Sequence, residues 1–542
     1  MTDHAKLFES LRAHLHQTAL VDSAAELLQW DERTGMPTQA GDFRAEQVSY
    51  LSGLAHEMRT SERVGEWLDG LSGDGLSGDG LSGDGLSGDG LSGDGLSGDG
   101  LSGDGLGGGS EASDPHSDLG ATVRLARKDY EKQKRLPKDL VEAIASATVR
   151  GQGRWDAARK ADDYSQFRPA LDEMIGLQRR AGEALAEDGQ STYEALLDQY
   201  EPDAKADELT EVFANLRVEL VQLIDEIKAS PRQVDETLLK KNYPIDSQRK
   251  LSHALAGAIG FDFERGRLDE TSHPFCTSLG PSDCRILTRY EEQWLPGSIF
   301  GTLHEAGHGI YEQGLRPDWY GLPPGSYASL GVHESQSRLW ENMVGRSAPF
   351  WQHFAPLMQQ TFGEKIAPEQ WHAAFNRVTP SLIRVEADEA TYNLHIIVRF
   401  EIEQALVSGE LSTADLPSVW NERYESVIGV RPPSDADGVL QDVHWSAGLF
   451  GYFPTYTLGN LIAAQLYDAA ESSLGDLAGM IGRGEFAPLM NWLREHVHTH
   501  GRKYTATELV ENATGDGLSA RPLIASLRQR YSLLYDVATP TS

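Results

Sequence analysis

Apolar residues recur three and four places apart through most of this chain. Leu7, Phe8, Leu11 and Leu15 begin the series, and Ala19, Leu20, Ala24, Leu27 and Leu28 continue it. A helix of 3.6 residues per turn gathers such positions on one face, so the spacing predicts amphipathic helices whose stripes are core faces. The same spacing, among many Glu, Lys, Arg and Ala, covers residues 121–160, 166–187, 205–229 and 248–259. Strand-like text is scarce. The best stretch runs from Phe275 to Tyr290 and predicts a short hairpin around Gly280-Pro281-Ser282-Asp283. A helix is expected from about Ile299 to Gln313, stopping at Gly314 with Pro317 beyond it as a breaker. After Ser335 helices resume through about 377, then over 381–407 and 455–470. The fold class is therefore mainly α with a small β hairpin or sheet.

One segment breaks the helical text. Residues 70–104 are seven tandem copies of Gly-Leu-Ser-Gly-Asp, trailing into Gly105-Leu106-Gly107-Gly108-Gly109-Ser110. Two glycines in every five residues raise the entropy cost of ordering, and one leucine per unit cannot offset it. Residues 70–110 are thus expected to be a disordered acidic linker. They would separate an N-terminal helical segment, 1–69, from a catalytic region, 111–542. A calcium-binding roll also uses Gly- and Asp-rich repeats, but its period is nine with a different glycine pattern.

Length and charge narrow the function. The 542 residues suit two or three domains or one large enzyme, and 39% hydrophobic content supports a sizeable core. Acidic residues number 82 against 48 basic, a formal charge of −34. Nucleic acid and anionic membranes would be repelled by it. No apolar run reaches 18 residues, and the N-terminus lacks the basic start and apolar core of a secretory signal, so a cytoplasmic location is expected. Cys276 and Cys284 could meet across the hairpin, but are expected to be free, partly buried thiols.

The chemistry concentrates in His304-Glu305-Ala306-Gly307-His308. Histidines at i and i+4 lie one above the other on a helix and can reach one metal ion. Glu305, beside the first ligand, can accept a proton from a water on that metal. A catalytic zinc needs a third protein ligand. Glu312 is four residues beyond His308, and a rise of about 6 Å makes three successive i, i+4 ligands awkward. His333-Glu334-Ser335 opens the next helical run, and an antiparallel helix would present either His333 or Glu334. Glu334 is preferred on the two-histidine, one-glutamate precedent of zinc peptidases. A carboxylate favoured by the helix dipole is the plain alternative.

Several segments together resemble the carboxypeptidase Taq family of zinc metallocarboxypeptidases. They are His273-Pro274-Phe275, Asp283-Cys284-Arg285, the His304–His308 motif, His333-Glu334-Ser335, Ile383-Arg384-Val385-Glu386-Ala387-Asp388, and Gly438 through Gln441-Asp442-Val443-His444-Trp445. Leu27-Leu28-Gln29-Trp30-Asp31 with Met36-Pro37 is similar to the family's N-terminal region. The resemblance covers nearly all of the chain outside the repeats. One departure stands out: Leu287 occupies the threonine place of the family's Asp-x-Arg-x-Thr motif, with Thr288 one residue later.

The resemblance implies a large helical zinc-peptidase fold with a deep active-site cleft, and a homodimer. It implies removal of single C-terminal amino acids from peptides with a free C-terminus, with broad specificity. Zn2+ would be held by His304, His308 and Glu334, with Co2+ or Mn2+ as possible substitutes. Glu305 would be the general base, with His444 and Tyr456 supporting the oxyanion. Tyr456 is preferred to Tyr452 because related helical zinc peptidases place such a tyrosine about twelve residues after the histidine. A buried His–Trp pair with loop-capping tyrosines is the structural account of the same residues. A guanidinium suits the substrate carboxylate, and Arg384 is the family's candidate, ahead of Arg285. A local salt bridge from Arg384 to Asp388 is the competing account. His273 and Tyr452 complete the candidate substrate cleft. An oligopeptidase or dipeptidyl-carboxypeptidase on a related scaffold is the nearest alternative.

Overall fold

A computed structural model describes residues 3–71, 114–271 and 274–537. Helices dominate it, as the apolar spacing predicts. The 121–160 stretch divides into Asp118–Arg135 and Lys138–Ala161, because Pro137 has no amide hydrogen and ends the first helix. The 381–407 stretch becomes helical only at Glu389: residues Arg384–Glu386 form a single 3-10 turn. Asp388 is the N-cap of that helix, its carboxylate accepting from the amides of Ala390 and Thr391.

The predicted hairpin is present as β2 (Phe275–Gly280) and β3 (Asp283–Thr288), paired antiparallel. A further strand, β1 (Gly266–Glu270), runs parallel to β3, giving the order β1-β3-β2. Cys276 and Cys284 are free thiols with their sulfurs 3.7 Å apart on β2 and β3.

One hydrophobic cluster fills the body of the protein, with Phe213, Leu303, Trp340, Trp351, Phe400 and Leu461 among its members. A smaller cluster of Leu11, Val64, Leu68, Leu71, Val123 and Ala126 joins the N-terminal helices to Asp118–Arg135. The helix Glu62–Leu71 takes in the first two residues of the repeats, and Asp69 pairs with Arg127 at 3.0 Å. The remaining repeats lie outside the described residues.

The helix carrying His304 spans Leu295–Gly314, with Pro296 in its first turn where a missing amide costs nothing. Leu295, Ile299, Leu303, Ala306 and Ile310 anchor it in the core. It crosses the helix Leu330–Arg338 running antiparallel: Leu303 meets Gly345, Gly307 meets Gln336, and His308 meets His333. At Gly307 the contact is backbone on backbone, since a Cβ there would stand 2.5 Å from the Gln336 carbonyl oxygen. Beyond Arg338 the second helix continues as a π-helical turn, Leu339–Val344.

Candidate metal centre

His304, His308 and Glu334 converge, with one ligand atom of each lying within 4.8 Å of the others. Glu334 Oε2 is 3.6 Å from His304 Nε2 and 3.4 Å from His308 Nε2. Ligand atoms about 2.1 Å from a tetrahedral zinc would stand roughly 3.4 Å apart, so these spacings fit such an ion. The outer nitrogens are already committed. His304 Nδ1 is 2.8 Å from Glu341 Oε2, and His308 Nδ1 is 3.0 Å from the His333 carbonyl oxygen. Each ring is thereby oriented with its Nε2 toward the site.

Sequence reasoning missed Glu341 and Arg338. Arg338 donates to Glu334 Oε1 at 2.6 Å and to Glu341 Oε2 at 3.1 Å, and stacks over Tyr392 with 4.3 Å to the ring centroid. One guanidinium thus ties the candidate-ligand carboxylate of Glu334 to the carboxylate behind His304. Gly459 makes room for Glu334, since a Cβ there would come within 2.4 Å of the glutamate Cγ. A signal for Arg338 was available in its i+4 spacing from Glu334. Nothing local marks Glu341.

The electrostatics follow from burial among opposed charges. Burial works against a protonated His304, but Glu334 and Glu341 prevail and raise its pKa to about 9. His308 is pushed down to about 3 by burial and then by His333. For Glu334, Arg338 and the histidines outweigh burial and hold the carboxyl well below its usual range. Glu305, 5% exposed, is raised to about 7 mainly by burial. Its carboxylate makes no hydrogen bond among the described residues, which leaves it open to a reactant.

A second group of predicted residues stands beside the candidate ligands. His444 Nε2 lies 3.1 Å from the Tyr456 hydroxyl, and the rings of Tyr452 and Tyr456 are 5.5 Å apart. Burial raises both phenols, and the Glu334 charge adds to it, so both stay protonated near neutrality. Burial lowers His444 to about 3, which keeps it neutral. Arg384 is buried with its guanidinium over the Tyr456 ring, 5.0 Å from the centroid. Its Nε and Nη2 donate to Asp442 Oδ1 at 3.1 and 2.9 Å, and its Nη1 to Tyr392 at 3.0 Å. The competing partner, Asp388, caps a helix instead. Asp442 also takes the fully buried Arg399 at 2.7 Å.

Other predicted residues lie elsewhere. Arg285 makes a bidentate pair with Asp283 at 2.9 and 2.8 Å and stacks on Trp30, 4.3 Å from the centroid. It fastens β3 to the N-terminal helix. Leu287 is fully buried, and the neighbouring Thr288 hydroxyl is buried without a hydrogen-bond partner among the described residues. His273 lies outside the described residues. Glu312, the discarded third ligand, is 2.9 Å from His333 Nε2.

Residues 10–86 and 96–531 match the family described as carboxypeptidase Taq (M32) metallopeptidase. This chain belongs to that family. Thermostable carboxypeptidase 1 of Thermus thermophilus is 42% identical over 538 residues, covering 97% of this chain and 99% of the relative. Carboxypeptidase 1 of Bacillus subtilis is 36% identical, covering 98% and 99%. The crystal structure of the M32 carboxypeptidase from Deinococcus radiodurans R1 superposes with a TM-score of 0.88 at 37% identity, covering 98% and 100%. These full-length matches agree with the M32 resemblance, the helical fold class and the assignment as an enzyme. No described helix is long and apolar enough to cross a membrane.

Proposed function

We propose that this M32 metallopeptidase is a zinc carboxypeptidase that removes single residues, with broad specificity, from the free C-terminus of peptides. The observation that carries this is the convergence of His304, His308 and Glu334 beside the Glu305 carboxylate, which makes no hydrogen bond among the described residues. Two imidazoles and one carboxylate suit zinc, and Co2+ or Mn2+ could occupy the same donors. A zinc ion there would supply Lewis acidity toward the scissile carbonyl and acidify a water.

The protein groups do the rest. Glu305 accepts the proton of the attacking water and delivers it to the leaving amine nitrogen. Asp442 Oδ1 stands 3.7 Å from His444 Nδ1, favouring a proton there, so Nε2 accepts from Tyr456. The Tyr456 hydroxyl then turns to the developing oxyanion, with His444 and Tyr452 holding the ring group in place. Arg384 receives the substrate carboxylate by exchange: its bond to the Tyr392 hydroxyl gives way, while Asp442 keeps its other side fixed. The family resemblance assigns His273 to the substrate cleft, and Arg285 acts through the hairpin that its contacts with Asp283 and Trp30 hold in place. A homodimeric assembly and a cytoplasmic location complete the reading.

The test is incubation of zinc-loaded protein with free and amidated peptides, read by mass spectrometry. Stepwise loss of one residue from free ends only is expected. Release of dipeptides or internal fragments would replace this reading with a dipeptidyl-carboxypeptidase or an oligopeptidase. Glu305→Gln should retain zinc and lose about 10²–10⁴ in turnover. His308→Ala should lose both.

A further inference from the structure

The two metal-site histidines are held in different ways. His304 has a carboxylate behind it, whereas among the described residues His308 Nδ1 meets the main-chain carbonyl of His333. A single hydrogen bond at Nδ1 fixes one edge of an imidazole and leaves its plane free to rock. The side chain of His333 closes that freedom. Its ring stacks on His308 at 4.4 Å between centroids with 19° between planes. The His333 ring is itself pinned at Nε2 by Glu312, 2.9 Å away. The rings of Tyr327 and Tyr311 crowd it at 4.8 and 5.6 Å. Glu312 stands four residues after His308 on the same helix, so His333 bridges two successive turns of that helix.

We propose that His333 and Glu312 are positioning residues that set the plane of His308 for metal binding. The carbonyl of His333 chooses the tautomer, and its imidazole, steadied by Glu312, chooses the ring orientation. Neither side chain contacts the substrate in this role. The inference rests on the reading of His304, His308 and Glu334 as the metal ligands.

The experiment measures zinc affinity by chelator competition, the visible spectrum of the cobalt-loaded protein, and the melting temperature of the metal-free protein. His333→Ala removes the ring and leaves the carbonyl. It should weaken zinc binding about tenfold or more and alter the cobalt bands, with metal-free melting near that of the parent. His333→Phe restores a flat ring and should recover most of the lost affinity. Glu312→Ala should fall between them. Parental affinity and spectrum in His333→Ala would overturn the proposal. So would an affinity loss that tracks a collapse of metal-free melting and is not rescued by Phe, since the ring would then be serving the fold alone. His308→Ala is the control: if it binds zinc like the parent, the ligand assignment fails and the buttress is not at fault.

Discussion

Oε2 of Glu341 lies 2.8 Å from Nδ1 of His304 and 3.1 Å from Nη1 of Arg338. One carboxylate oxygen therefore serves an imidazole at the candidate metal centre and a guanidinium whose other partner is the candidate ligand Glu334. The amide of Glu341→Gln lacks the charge that orients and polarises His304. Zinc affinity should fall about 10–100-fold by chelator competition, with the same peptide products at saturating metal.

Arg384 and Tyr456 are stacked, yet their proposed roles separate kinetically. Tyr456→Phe removes only an oxyanion donor and should lower kcat about 10²-fold with little change in KM. Arg384→Gln should raise KM about tenfold or more on peptides with a free C-terminus. An equal fall in kcat for both variants would mean that Arg384 acts only by holding Tyr456. Melting curves must accompany the arginine variant, because Asp442 would keep Arg399 alone.

Glu403 provides a pH-dependent stability term away from the metal. Its oxygens accept from Trp445 Nε1 at 2.9 Å, Gly451 N at 3.1 Å and Tyr193 Oη at 3.2 Å. Burial raises its pKa from 4.5 to about 8. The folded state therefore holds a proton that the unfolded chain releases. The stabilisation is complete below about pH 4.5 and is lost as pH rises through 8. Glu403→Gln should flatten the fall in melting temperature between pH 5 and 8, by a few degrees in a thermal scan.

Helices Glu62–Leu71 and Asp118–Arg135 pack on one another across the repeat segment, in a cluster that includes Leu68, Leu71 and Val123. Replacing residues 74–111 by a short Gly-Ser connection should leave peptidase turnover unchanged within about twofold. A loss of activity would instead give the repeats a working part, as a calcium-responsive binding protein would require.

The sequence reading brought His304 and His308 together as candidate ligands because their spacing is helical and local. Glu334, farther along the chain, was preferred to His333 on the precedent of zinc peptidases, and the structure brings it to the same point. It was silent where partners come from far along the chain. The competing account paired Arg384 with Asp388 at i+4, but that carboxylate is taken by the helix N-terminal amides, and Asp442 reaches Arg384 instead. Strand β1 escaped notice because Gly266-Arg267-Leu268-Asp269-Glu270 has no alternating apolar face, and a parallel neighbour leaves no turn signal. Glu341 was invisible for a related reason: a π-helical turn, which no spacing rule anticipates, carries it to the site.

That wider turn, Leu339–Val344, has an architectural consequence. A π-helical turn accommodates one residue more than ordinary winding would hold. Excising a single residue there would restore regular coiling with the downstream chain almost in phase, since the six residues of the wider turn wind about as far as five of an α-helix. The change would fall on the turn itself, re-aiming Glu341 and Asn342 and with them the contacts to His304, Arg346 and Arg530. Homologous enzymes that align without a gap across this stretch should share the swollen coil, and a one-residue deletion should mark lineages whose centre is rebuilt.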